Sequence, residues 1–239
     1  MSAARGQLHL IPVALGDTDA RLSLPASALK AAASLDYFLV ENEKNARQFL
    51  KHIAHPRPLQ ELQLERFDKD GDLARAMALL QPLLAGRSAG VLSEAGSPAV
   101  ADPGALLVEA AHRLRIRVVP HVGPSAILLA LMASGFNGQR FAFHGYLPAP
   151  RDACRRAIAV RERESRDQDI TQIFIETPHR NDALLQAFLE TCQGKSRLCV
   201  ASDLTLASEL VRSATIAEWK ADNMEIGRRP SVFVLYAPR

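Results

Sequence analysis

Five residues with acid–base chemistry sit beside turns in this chain: Glu94, Asp102, Glu176, His179 and Asp203. A carboxylate or imidazole fixed at a turn can take a proton from a weak nucleophile such as a hydroxyl. Each also has a structural use. Asp102, directly before Pro103, suits a helix cap. Glu94 could instead hold its own loop by accepting backbone N–H groups, and His179 with Arg180 could simply open a helix after Pro178. No one of the five is singled out as the base. The stretch from Val91 to Gly104 that carries two of them says more. Gly96 and Gly104 have no Cβ, Ala95, Ser97 and Ala99 add little bulk, and Pro98 and Pro103 stiffen the chain on both sides. Such a loop lets the main chain approach a ligand closely, and its place after an apolar run is the ligand position of an open α/β sheet.

Other chemistries find less footing. Cys154, Cys192 and Cys199 and the scattered histidines show no metal-ligand spacing, so no metal site is expected. An odd number of cysteines, and no apolar secretory core between Met1 and His9, lead to the expectation of reduced thiols and a cytoplasmic protein. No apolar run approaches the roughly 20 residues that span a bilayer. A formal charge of +3 is compatible with a nucleic-acid substrate without pointing to one. The arginines from Arg151 to Arg166 alternate with acids, which reads as a solvated helix face. The dinucleotide fingerprint G-x-G-x-x-G is absent.

The elements that must position these residues follow from periodicity. Strands are expected at Leu8–Ile11, Tyr37–Val40, Gln60–Leu64, Ala89–Leu92 and Arg117–Pro120. Between them, helices are expected over Leu24–Leu35, Glu43–His52, Asp72 (as cap) to Leu84, and Pro103–Leu114. That alternation predicts a mostly parallel sheet covered on both faces. Ile127–Ala133 is apolar all round and predicts a buried helix whose first turn, after Gly123-Pro124-Ser125-Ala126, has free N–H groups. Later come a strand over Phe141–Leu147, a helix over Asp152–Ser165, strands at Thr171–Glu176 and Leu198–Ala201, and a helix ending at Thr191. Ser208–Ile216 reads as helix or strand, closed by a cap at Ala217–Trp219, and Ser231–Tyr236 as a final strand. This half predicts a mixed sheet. The expectation is an α/β protein of two domains, residues 1–121 and 122–239.

Four segments, in order, resemble one family: Ser93-Glu94-Ala95-Gly96-Ser97-Pro98 with Ala101–Gly104, Gly123–Ala126, Phe174–Arg180, and Ser202–Glu209. The chain is similar to the tetrapyrrole methylase superfamily of S-adenosylmethionine-dependent methyltransferases. Within it, the nearest branch is the ribosomal RNA small subunit methyltransferase I group, which methylates a ribose 2′-hydroxyl. The resemblance implies a cofactor cleft between two α/β domains, a homodimer, and S-adenosyl-L-methionine bound by Pro12, Leu15, Gly16, Ser93, Glu94, Ala95, Gly96, Ser97, Pro98, Pro124, Ser125, Ala126, Glu176, Asp203, Leu204 and Thr205. RNA is the implied substrate, with neither membrane nor metal involved. A tetrapyrrole C-methyltransferase and a non-catalytic cofactor-binding module are the other readings. The chain departs from the ribosomal group at Glu94, where the group has aspartate, at Val13–Asp17, where it has Thr-Pro-Ile-Gly-Asn, and at Glu41-Asn42-Glu43-Lys44, where it has Glu-Asp-Thr-Arg.

Overall fold

Five short parallel strands build the first sheet, in the order β3-β2-β4-β1-β5. They are β1 (Gln7–Ile11), β2 (Tyr37–Val40), β3 (Gln63–Arg66), β4 (Ala89–Leu92) and β5 (Arg117–Pro120). The structure is a computed structural model and describes residues 5–67, 69–222 and 224–239, so the start of the N-terminal lead, Met1–Ala4, falls outside it. Every residue of β2 and β4 is buried, as strands covered on both faces require. Helices α1 (Ala26–Ala33) and α2 (Glu43–His52) pack on the face that presents Ile11, Phe38 and Val40. The opposite face, with Leu8, Leu39 and Val91, is covered by α3 (Leu73–Leu79), α4 (Gln81–Leu84) and α5 (Gly104–Arg113). The chain after β1 therefore leaves toward one face and the chain after β4 toward the other. Their carboxyl ends form the switch point at which open α/β sheets place ligands.

The second sheet is mixed, with order β6-β7-β10-β8-β9. Its strands are β6 (Phe141–Phe143), β7 (Thr171–Glu176), β8 (Arg197–Ser202), β9 (Leu210–Thr215) and β10 (Ser231–Tyr236); only the β6–β7 pair is parallel. Helices α7 (Arg151–Gln168), α8 (Asn181–Thr191) and α9 (Ile216–Asp222) bury Ile158, Phe188 and Trp219 against Phe174, Val200 and Phe233. The remaining helix, α6 (Ala126–Ser134), packs on β8, β9 and β10.

Several expectations need correction. The single helix from Asp72 breaks at Leu80, because Pro82 has no N–H to continue the ladder. The third strand lies at 63–66 and not at 60–64. The strand expected over 141–147 ends at Phe143, since Gly145 turns the chain at φ +67°. Trp219 does not cap a helix end; it is buried in α9 and donates from Nε1 to Leu198 O at 2.8 Å. Helix α6 is buried on one side only: Ala130 and Leu131 face the sheet while Met132 is 77% exposed.

The chain divides into two compact units, the first ending at Ser125 and the second beginning at Ala126, where the expected boundary followed residue 121. Several contacts hold residues 121–125 to the first unit. His121 N–H donates to Leu10 O at 3.1 Å, and Ser97 Oγ donates to Pro124 O at 3.2 Å. Gly123 lies so close to Pro12 that a Cβ there would come within 2.3 Å of Pro12 Cβ.

Charged and thiol groups fit this packing. Helix α7 buries Cys154, Ile158, Glu162 and Ser165 along one stripe and pairs arginines outside it, including Arg151 with Glu190 at 2.8 Å. All three cysteines are free and buried, and burial raises each thiol, Cys199 to about 12. Among the described residues no helix is long and apolar enough to cross a membrane.

His9 on β1 and His121, just after the edge strand β5, stack with ring centroids 5.3 Å apart and Nδ1 of His9 3.0 Å from Nε2 of His121. One N–H can lie between them, so a second proton must place two cations side by side. Burial lowers both imidazoles from their ordinary value, and His121 and Arg117 lower His9 further. A lowered histidine stabilises the fold fully above the unfolded value and less as pH falls through the native one. The melting temperature is therefore expected to fall between pH 7 and 5 by more in the native protein than in His121→Gln. Parallel curves for the two proteins would refute this account.

Candidate functional site

In the first unit the loop after β1 meets the loop after β4 through main-chain atoms. Val13 N–H donates to Gly96 O at 2.9 Å and Gly96 N–H donates to Val13 O at 3.2 Å. This antiparallel bridge lies beyond the ends of two parallel strands. Gly96 sits at φ +74°, and a Cβ on it would stand 3.2 Å from Leu15 Cδ2 and 3.5 Å from Pro124 O. Ser93 Oγ closes the bend onto Gly96 O at 3.2 Å. Pro12, Leu15, Gly16, residues 93–98, Pro124 and Ser125 are thus gathered at the switch point of the first sheet.

The remainder of the loop is held in an unusual backbone. Ala99 and Ala101 have φ +67° and +62°, where a side chain is disfavoured by about 1–2 kcal/mol per residue. Asp102 Oδ1 supports this shape by accepting from Ala99 N at 2.9 Å and from Gly104 N, the first residue of α5, at 2.7 Å. Its Oδ2 is buried without a hydrogen-bond partner, and burial raises the carboxyl above its usual range. Asp102 is a loop and helix brace, not a free base. Glu94 is exposed and accepts from Asn45 Nδ2 on α2 at 3.3 Å; its partner is this side chain and not the N–H groups of its own loop.

The second unit places Glu176 and Ser202, at the ends of β7 and β8, on either side of Ser231, which pairs with both. Two strand spacings separate them, about 10 Å. Glu176 is buried, with Oε1 accepting from Thr177 N at 2.6 Å and Thr177 Oγ1 at 3.1 Å. Its Oε2 lies 3.1 Å from Arg180 Nη2 without hydrogen-bond alignment, an ion pair only. Asp203 and Thr205 have φ +51° and +73°; the second is a marked outlier for a β-branched residue. Asp203 Oδ2 accepts from Ser208 Oγ at 2.9 Å, and Glu209 Oε2 accepts from Thr205 N at 2.8 Å. Leu204 between them is buried. Ala126 opens α6, and His179 is exposed in a short turn over Pro178–Arg180.

Three residues escaped the sequence reading. Asn181 is fully buried and donates from Nδ2 to Gly227 O at 2.9 Å and Arg229 O at 2.7 Å, while Asp182 Oδ1 accepts from Ile226 N at 2.7 Å. Together they hold the 226–229 turn beside Asp203, whose Oδ2 is 3.8 Å from Arg229 Nε. The signal was the Asn-Asp pair opening a helix behind Pro178. Asn45 is the third, an exposed position that nothing in the periodicity marks.

Comparison with known proteins bears on this arrangement. A family profile described as Tetrapyrrole (Corrin/Porphyrin) Methylases matches residues 7–220. A protein of Xylella fastidiosa named ribosomal RNA small subunit methyltransferase I is 35% identical over 213 residues, covering 89% of this chain and 73% of its own. One of the same name from Vibrio cholerae is 31% identical over 221 residues, covering 90% and 72%. Among solved structures, the methyltransferase CobJ matches with TM-score 0.64 at 19% identity, over 97% of this chain and 94% of its own. A uroporphyrin-III C-methyltransferase from Thermus thermophilus gives 0.56 at 19% identity, over 97% and 92%, and supports the fold.

Gly96→Ala adds a side chain at a positive φ and presses on Leu15, and is expected to lower stability by about 1–2 kcal/mol in urea unfolding. Asp102→Ala leaves the N–H groups of Ala99 and Gly104 without their acceptor, with an expected loss of about 1–3 kcal/mol. Asp102→Asn keeps an acceptor and removes a charge that burial disfavours, so it should lose far less. Equal losses for the two Asp102 variants would show that the brace is not the hydrogen-bonding oxygen.

Proposed function

The chain belongs to the tetrapyrrole (corrin/porphyrin) methylase family, and from that membership we propose an S-adenosylmethionine-dependent methyltransferase acting on a ribose 2′-hydroxyl of ribosomal RNA. The relatives that share most of its length carry a name of that kind. The observation that carries the reading is the bend at 93–97, built of small residues apart from Glu94, locked to Val13 through main chain and followed by two alanines at positive φ. Strain of that kind persists where surrounding structure imposes it, and it clusters at ligand sites.

The residues fit the donor. At Gly96 a Cβ would crowd Leu15, so the glycine lets the bend close onto the 12–16 loop and keeps the main chain of both in one surface. When bound, S-adenosylmethionine supplies a methyl group already activated on a sulfonium sulfur. The protein's part is alignment and exclusion of water. Within the first unit, the loop 12–16 and the bend at 93–97 would hold the donor. The acceptor hydroxyl must also lose a proton. Asp102 is engaged by loop N–H groups, Glu176 by Thr177 and Arg180, and Asp203 by Ser208. Glu94, which accepts from Asn45, and His179 remain exposed, and Glu94 lies in the bend itself.

A homodimer is part of the proposal, supported by the exposed side of α6, where Met132 faces out, and by exposed Phe141 on β6. So is a cytoplasmic location, where ribosomes are found and the three free thiols stay reduced.

Calorimetric titration should give saturable binding of S-adenosylhomocysteine, weakened in Gly96→Ala. Labelled methyl should pass from S-adenosylmethionine to small ribosomal subunits. A protein that takes up neither donor nor product overturns the reading; transfer to a porphyrinoid and not to RNA replaces the substrate.

A further inference from the structure

The first unit carries a cavity of about 210 Å³ beside the bend. The loop after β1, with Asp17, makes one wall, and Ser93 with Glu94 makes the second. The third is α2, whose Asn45, Gln48 and His52 follow one another at i, i+3 and i+7 along one stripe, with Phe49 among them. The donor reading accounts for the first two walls and leaves the helix unexplained.

We propose that this cavity receives the nucleoside to be methylated, presented from a single-stranded stretch of RNA; the inference rests on the RNA reading above. Size favours one flat heterocycle with its sugar. The volume is below the roughly 300–1,000 Å³ of sites for drug-sized ligands, and a tetrapyrrole with its carboxylate arms exceeds it. Chemistry agrees. Asp17 and Glu94 are acceptors for N–H or O–H groups, Asn45 and Gln48 both donate and accept, and Phe49 gives an apolar surface. A base edge and a ribose offer that mixture of donors and acceptors. A paired base cannot enter a concave site without leaving its stack, so the strand must be open at the target. Charge flanks the stripe as well: Lys44 and Lys51 precede Asn45 and His52 and are exposed, at the place where neighbouring phosphates would run.

The double variant Asn45→Ala/Gln48→Ala tests this, since both side chains are exposed and the fold should survive their loss, as a melting curve will verify. Three quantities are read: affinity for S-adenosylhomocysteine by calorimetry, affinity for small ribosomal subunits and for a single-stranded RNA oligonucleotide by anisotropy, and KM for subunits. Expected are unchanged S-adenosylhomocysteine binding and RNA binding weaker by roughly tenfold or more, in line with two lost hydrogen bonds. Lys44→Ala/Lys51→Ala should flatten the salt dependence of oligonucleotide binding by about 1.4 in log–log slope, two phosphates at about 0.7 each. Weakened cofactor-product binding, with or without loss of RNA, assigns the cavity to the donor and overturns the proposal. So does RNA binding equal to that of the native protein. Should the native protein transfer no methyl to RNA, the functional reading fails by that assay, while anisotropy still decides whether the cavity holds RNA.

Discussion

Two main-chain hydrogen bonds between Val13 and Gly96 hold the first unit's site together. Parallel strands share no direct turn, so the chains leaving β1 and β4 would otherwise separate toward opposite faces. The pair turns two independent loops into one surface. Because peptide groups make it, the side chains around it can change without loosening it. Gly96 is the exception, since its backbone conformation is what lets the pair form.

The second unit reaches a similar end by different means. Ser231 stands between Glu176 and Ser202, and its hydroxyl is 2.7 Å from that of Ser202. Asn181 and Asp182, at the start of α8, then draw in the 226–229 turn. Here side chains fix the loops. Glu176, its side chain fully enclosed, is held there by Arg180 and the Thr177 N–H. A buried carboxylate stripped of such partners would carry a large desolvation cost.

Much of this was legible in the residues. The first sheet was readable because its interior strands are short apolar runs bounded by turn residues, and α2 because its apolar positions repeat at helical spacing. The bend at 93–104 was readable because small residues and two prolines leave few other uses. Other features depended on partners distant in sequence. Whether Leu210–Thr215 is helix or strand is decided by pairing with β8, which no local pattern records. Trp219 looked like a terminal residue until Leu198 supplied its acceptor. An all-apolar α6 gave no clue to which side the sheet would take. The polar stripe Asn45, Gln48, His52 was invisible for the opposite reason: exposed polar side chains on a helix are what solvent alone would select.

The enclosed thiols have a practical corollary. Cys154, Cys192 and Cys199 are shielded and protonated at neutral pH, so alkylating reagents meet little thiolate. A single cysteine introduced at the surface would then be the reactive one, and fluorescent or spin reporters could be attached site by site without first removing the native sulfur atoms.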